Sequence, residues 1–195
     1  MSFKQYLKSM EGPSVVFTFG RFNPMHEEHY QLSKFISDYA KKNKFDDAVL
    51  YTSLSQNAKK NPLNAQDKIM FLKKMVPKDV KVSDDTSLKN SFQILEDLIK
   101  NKGYTRIIFV VGEDRVNDFQ SMNKYAQEWG TDVGSVVEFK VIQRKGNRSS
   151  KMSGTRMRQL VKDDNYEEFK EALPRSLKSY AEEIFSKTKI GLEIK

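Results

Sequence analysis

"SVVFTFGRFNPMHEEHYQL", residues 14 to 32, decides the fold. Its opening "SVVFTFG" is a short apolar run bounded by Gly12-Pro13 and Gly20, the signature of a buried strand. A corner follows, and then Leu32, Phe35, Ile36, Tyr39 and Ala40 recur at helical spacing, which predicts an amphipathic helix starting near Glu27. The corner holds both histidines of the chain, His26 and His29. Gly20 is expected to make the tight turn. The helix behind it aims its free amides and positive dipole end at the strand's carboxyl edge, a place suited to an anion. Imidazoles three residues apart share one side of a first helical turn, where they can donate to phosphoryl oxygens. Two other readings stay open on the residues alone. One is a pair of surface histidines. The other is a zinc site, which is poorly supplied because there is no third histidine and no cysteine.

The same alternation continues outward. "DAVLYTS" (47–53), "TRIIFVVG" (105–112) and "SVVEFKVIQ" (135–143) read as further strands, the second apolar enough to lie centrally. Helical patterns run through "DKIMFLKKMV" and through "LKNSFQILEDLIKNKG", which sets Leu88, Phe92, Leu95 and Ile99 on one face. Further helices are expected from about Asp114 to Glu128, after Ser153, and after Pro174 with Leu177, Tyr180, Ala181, Ile184 and Phe185 sharing a face. Strands alternating with helices imply a parallel sheet covered on both sides, with ligands gathering at the strands' carboxyl ends where strand order reverses. We therefore expect an α/β, Rossmann-like single domain over residues 1–195. Its core is 14–152, and a C-terminal helical segment covers 153–187.

Composition fits this and excludes other classes. The 195 residues are 38% hydrophobic, without a run near the ~20 apolar residues of a membrane span. The N-terminus lacks a signal peptide's apolar core, and the absence of cysteine suits a reducing cytoplasm, of a host cell if the source is viral. The net charge is +8, and its location is informative. Lys140, Arg144, Lys145, Arg148, Lys151, Arg156, Arg158 and Lys162 fall between residues 139 and 162 with no acid among them, while the remaining 26 basic side chains match 26 acidic ones. A nucleic-acid binder more often spreads its charge over a broad face, and a local concentration suits a phosphorylated small molecule at least as well; a solvated basic loop is the plain alternative.

Four motifs in order carry a resemblance. "GRFNPMHEEH" resembles the G-R-F-x-P-x-H-x-G-H form of the T/H-x-G-H nucleotidyltransferases, especially archaeal-type nicotinamide mononucleotide adenylyltransferases. "KKNPLNAQDK" resembles their K-N-P-F-x-x-x-E-R segment, with Asp67 and Lys68 at the last two positions. "SGTRMR" (153–158) is similar to the superfamily's I-S-x-T-x-x-R signature, and "LPRSLKSYAEEI" to their closing helix. "VVGEDRVNDF" is similar to a segment of nucleotidyltransferase-like proteins from large bacteriophages.

The resemblance implies the H-x-G-H nucleotidyltransferase fold and transfer of AMP from ATP to a phosphorylated acceptor, foremost nicotinamide mononucleotide to give NAD, with Mg²⁺ assisting. Other acceptors, CTP in place of ATP, and a non-catalytic nucleotide or nucleic-acid binder are the rivals; a homo-oligomer is left open. It implies that His26, His29 and Arg158 act catalytically. Gly20, Arg21, Phe22, Ser153, Thr155 and Arg158 would bind the nucleotide, Arg21 by neutralising phosphates. Lys60 and Asn61 would meet the acceptor. Phe92, and less so Trp129, would stack on its ring, with core packing as the alternative; Asp114 would contact a ribose or nicotinamide group unless it caps the next helix. One position departs from the pattern: Glu28 stands where the motif has glycine. A carboxylate about 4 Å from a phosphate charge costs ~4 kcal/mol at an effective dielectric near 20. Unless Glu28 turns outward, which is the expectation, or meets a cation, it would impair ATP binding and mark a catalytically decayed member or one with an altered substrate.

Overall fold

The computed structural model describes residues 2, 12–112, 116–144 and 152–193. The chain runs β1 (Ser14–Gly20), α1 (Glu27–Lys42), β2 (Asp47–Thr52), α2 (Ala65–Met75), β3 (Val80–Val82), α3 (Ser91–Lys100), β4 (Arg106–Val111), α4 (Val116–Phe119), α5 (Met122–Asp132), β5 (Glu138–Gln143), α6 (Gly154–Lys162), α7 (Tyr166–Ala172), a 3₁₀ helix (Arg175–Tyr180) and α8 (Ala181–Gly191). The strands form one sheet in the order β3-β2-β1-β4-β5, and every pairing is parallel. Chain direction across the sheet reverses between β1 and β4, so the loops leaving those strands diverge and open a crevice at the carboxyl edge.

The sheet buries both faces because its strands alternate between two cores. Val15 and Phe17 of β1 pack with Ile107, Phe109 and Val111 of β4 under α3 and α5, where Phe17 stacks on Phe109 at 4.5 Å. Val16, Leu50, Ile108 and Val110 face α1, α2 and the C-terminal helices instead. At about 25 cal/mol per Å² of apolar area, this two-sided burial is the main stabilising term. Thr18 also sits in the second core, and its hydroxyl donates to the Val110 carbonyl at 2.9 Å. Side-chain caps start four helices: Asn64, Asn90, Ser153 and Asn165 each accept from an amide three residues on. Among the described residues no helix is long and apolar enough to cross a membrane.

Several expectations need correction. β3 and α7 have no counterpart in the sequence reading; β3 is three residues long, too short to show a period. The strand after α5 begins at Glu138, not 135. β1 is the middle strand, with β4 beside it. The helix expected from 114 to 128 is two helices that bend at Gln120–Ser121. The bend lets Phe119 reach Phe109 at 5.0 Å while Met122 and Ala126 enter the same core. The last helix begins as 3₁₀, although its shared face of Leu177, Ala181, Ile184 and Phe185 is buried as expected. In α1 the fully buried stripe is Ser33, Ile36, Ser37 and Ala40, flanked by half-buried Leu32, Phe35 and Tyr39. In α3 it is Ser91, Ile94, Leu95, Leu98 and Ile99. Phe92 points away and Leu88 precedes the helix.

Candidate active site

Beyond β1 the chain turns at Phe22, whose φ of 46° is left-handed; Gly20 is not the turning residue. Gly20 is needed for space, because a Cβ there would lie 2.9 Å from the Phe22 ring. That ring is buried and stands edge-on to His29, 4.8 Å between centroids. On the other side His29 meets His26, centroids 3.8 Å apart. His26 is the first half-helical residue of α1, and its backbone N–H donates to His29 Nδ1 at 3.3 Å. With Nδ1 accepting, the His29 proton belongs on Nε2, which leaves Nε2–H as a donor for a ligand. Burial pushes the His26 pKa down to about 4, against a weaker upward pull from Glu28. Burial, then His26, then Arg144 push His29 well below the ordinary histidine value. Both rings are therefore neutral near pH 7, so neither brings a charge to the corner. His26 Nδ1 is buried without a partner.

Asn23, two residues past Arg21, ties three distant segments together. Its side-chain amide donates to the Leu63 carbonyl at 3.0 Å and accepts from the Leu63 N–H at 2.9 Å. Its own carbonyl accepts from Arg158 Nη1 at 2.9 Å. The loop before α2 and the start of α6 are thereby held against the corner. Lys68, fully buried on α2, reinforces this by donating to the carbonyls of Ser53 and Ser55 at the end of β2. Desolvation lowers its pKa to about 8.

At the start of α6 the Ser153 hydroxyl caps the helix by accepting from Arg156 N at 3.2 Å. The amides of Gly154 and Thr155, in the first turn, have no partner within the helix. Thr155 Oγ1 accepts from Arg158 Nη2 at 3.1 Å, so the threonine aims the arginine. A Cβ on Gly154 would lie 3.3 Å from Arg158 Nη1, tight enough to displace the guanidinium.

These groups enclose a cavity of about 300 Å³ lined by Arg21, Phe22, Asn23 and His29 on one side and by Ser153, Gly154, Thr155 and Arg158 on the other. Among the described residues no carboxylate lines it. Arg158 is held by two neutral oxygens, and its pKa is lowered first by burial and then by the charge of Arg21. Two guanidiniums without a carboxylate partner among the described residues, facing one small cavity, make a site that favours an anion. Six of the residues expected from the sequence thus meet at one place: Arg21, Phe22, His29, Ser153, Thr155 and Arg158. His26 and Gly20 support the site from behind. Asn23, Gly154 and Lys68 complete it and escaped the sequence reading as functional residues; the "FNP" of the corner was the available signal for Asn23.

Of the acceptor-side residues, Lys60, Asn61 and Phe92 are not brought to this cavity. Asn61 is buried, pairs with Asn57 in an isolated antiparallel bridge, and donates to Ser55 Oγ at 2.9 Å. Exposed Lys60 donates its N–H to Asn57 Oδ1 at 2.7 Å. Phe92 is 36% exposed and meets Tyr125 edge-on at 5.4 Å, and Tyr125 in turn meets Trp129. Asp114, Lys145, Arg148 and Lys151 lie outside the described residues.

Glu28 is not turned out to solvent. Its carboxylate receives Arg144, with Nη1 and Nη2 each 3.2 Å from Oε2, and its side chain is 19% exposed. As for Mg²⁺, no group of three or more His, Cys, Asp or Glu able to hold a metal occurs among the described residues. With no carboxylate in its lining among the described residues, the cavity would hold such an ion chiefly through a substrate's phosphates.

Comparison with known proteins agrees with this fold. The fold is similar to that of Thermotoga maritima TmcAL, solved bound with alpha-thio ATP (TM-score 0.52, 14% identity). That match covers 91% of this chain but 56% of the Thermotoga chain, little over half its length. It is also similar to a putative nicotinate-nucleotide adenylyltransferase from Vibrio parahaemolyticus (TM-score 0.50, 22% identity, 77% of this chain and 82% of that one). No curated protein matches the sequence. The cytidylyltransferase-like family model matches residues 17–160, from the strand before the histidine corner to the end of the "SGTRMR" helix, and the chain belongs to that family, within the H-x-G-H nucleotidyltransferase superfamily.

Proposed function

We propose that the protein is an adenylyltransferase that moves AMP from ATP to a phosphorylated acceptor, foremost nicotinamide mononucleotide, releasing pyrophosphate and forming NAD. The observation that carries this reading is the cavity, free of carboxylates among the described residues, where Arg21, Arg158, His29 and the start of α6 converge at the switch point of a parallel sheet. In the reaction an acceptor phosphate oxygen bonds to the α-phosphorus, and the bond from that phosphorus to the bridging oxygen breaks in line. Pyrophosphate leaves with the bond's electrons. Catalysis of this kind is positioning plus stabilisation of charge. Arg21 and Arg158 hold the phosphates, the first-turn amides of α6 receive an oxygen, and neutral His29 donates from Nε2 to oxygen that gains charge in the transition state. Mg²⁺, when it arrives with the triphosphate, supplies charge neutralisation across the phosphates.

The family match favours one second reading, cytidylyl transfer from CTP. A single screen separates them: pyrophosphate release from ATP and from CTP against nicotinamide mononucleotide, pantetheine phosphate, glycerol phosphate and a sugar phosphate. Release with ATP and nicotinamide mononucleotide is expected. Release confined to another pair reassigns the substrate, and binding of nucleotide without release in any pair refutes the enzymatic reading.

A further inference from the structure

Glu28 occupies the motif's glycine position, one residue before His29, in the first turn of α1. Its partner comes from the far side of the crevice. Arg144 directly follows β5, and its backbone N–H donates to the Val111 carbonyl at 2.9 Å, which anchors it to the end of β4. From there its guanidinium crosses to α1. Nη1 lies 3.5 Å from the Glu28 carbonyl as well as 3.2 Å from the carboxylate. Both side chains are largely buried, at 16% and 19% exposed, so solvent screens the pair less than a surface ion pair. Arg144 does not line the phosphate-sized cavity. It is near enough to His29 to disfavour a proton there.

We propose that Glu28 and Arg144 act as one unit in nucleotide recognition, in which Arg144 cancels the carboxylate that would repel a triphosphate and, by gripping the first turn of α1, positions His29. The proposal rests on the nucleotide-binding reading above. Arg144 is a positioning residue, since it reaches the ligand only through Glu28 and His29. A chain with glycine at position 28 has no carboxylate to cancel; this chain restores neutrality with a residue 116 positions away.

The test is a four-member cycle of wild type, Glu28→Gln, Arg144→Gln and the double variant. Calorimetric titration with ATP–Mg²⁺ and with inorganic tripolyphosphate is read beside an NMR titration of the His29 ring. Arg144→Gln, which leaves the carboxylate unpaired, is expected to weaken both probes by about tenfold or more. Glu28→Gln should bind at least as tightly as wild type, and the double variant should return to within about threefold of it. Without any ligand, the His29 resonance should titrate at higher pH in Arg144→Gln than in wild type. A double variant as weak as Arg144→Gln would overturn the proposal by making Arg144 a direct phosphate ligand, and an Arg144→Gln that binds like wild type would overturn it outright. Should Arg144→Gln fail to fold, Glu28→Gln alone still decides: it is expected to bind both probes at least as tightly as wild type, and a tenfold loss there would refute the charge argument. Failure of the parent reading looks different, because wild type itself would then bind neither probe.

Discussion

Acid should destabilise this protein well before its carboxylates titrate, and His26 sets the size of the effect. In the unfolded chain the ring takes up a proton near pH 6.5, whereas in the fold burial holds it neutral down to about pH 4. Between those values the unfolded state binds the extra proton and the native state does not, so stability falls as pH drops from 6.5 toward 4 and levels off below. The contribution of His26 is fully present above pH 6.5. A displacement of that size, at 1.36 kcal/mol per pH unit, amounts to about 3 kcal/mol at pH 4. Native domains have only about 5–15 kcal/mol in all. His29 pushes the same way. Asp46 and Asp79 act in a different window, since their lowered values cost stability only as pH falls below the ordinary carboxylate range. The assay is urea unfolding followed by circular dichroism from pH 7.5 to 4, on wild type and on His26→Asn, which cannot titrate there and keeps a residue suited to starting a helix. Wild type should lose about 3 kcal/mol more than the variant over that range. Parallel curves for the two proteins would refute the buried, neutral His26.

Four further outcomes are expected. Arg158→Ala should weaken ATP binding by about tenfold or more, because its guanidinium is held at the cavity by the Asn23 carbonyl and the Thr155 hydroxyl; unchanged affinity by calorimetry would remove "SGTRMR" from the triphosphate. Gly154→Ala should weaken ATP binding by about threefold by crowding Arg158, yet leave urea stability equal or higher, since alanine favours a helix by up to about 1 kcal/mol. His29→Ala should lower kcat more than it raises KM in the pyrophosphate-release assay, and the reverse pattern would make it a binding residue alone. Lys68→Ala should cost about 2–4 kcal/mol in urea unfolding by leaving a cavity and two unpaired carbonyls, and a loss under about 1 kcal/mol would show that the loop after β2 needs no clamp.

What was legible in the sequence follows from how local each signal is. β1, β2 and β4 are short apolar runs buried on both faces, and such runs announce themselves without an alignment. His26 and His29 lie in one helical turn, so their spacing alone places them together. β3 fails the same test by brevity, and α3 was misread because Phe92 looks like a core residue yet caps a surface aromatic pair with Tyr125. Asn23 is invisible because its work is done on main-chain atoms of residues 63 and 158. The placement of Lys60 and Asn61 is hidden for a related reason: the polar loop they belong to closes on itself through the Asn57–Asn61 bridge, a pairing that composition does not reveal.

The charge pattern gains its meaning only from the pairing. The stretch from 139 to 162 reads as a uniform run of cations, but the fold sorts its described arginines into different classes. Arg156 is bound to Glu168 at 2.7 Å and Arg144 to Glu28, so each meets a carboxylate and contributes little net field. Arg158, on the same turn as Arg156, is fixed instead by the Asn23 carbonyl and the Thr155 hydroxyl. Neutral oxygens satisfy the geometry of a guanidinium without cancelling its charge, whereas a carboxylate satisfies both. A site that must be rigid before its ligand arrives, and still attract an anion, needs the first kind of partner. Arg158 has it and the other two do not, and this is why the cavity beside Arg158, and not the whole basic segment, is where a phosphate belongs.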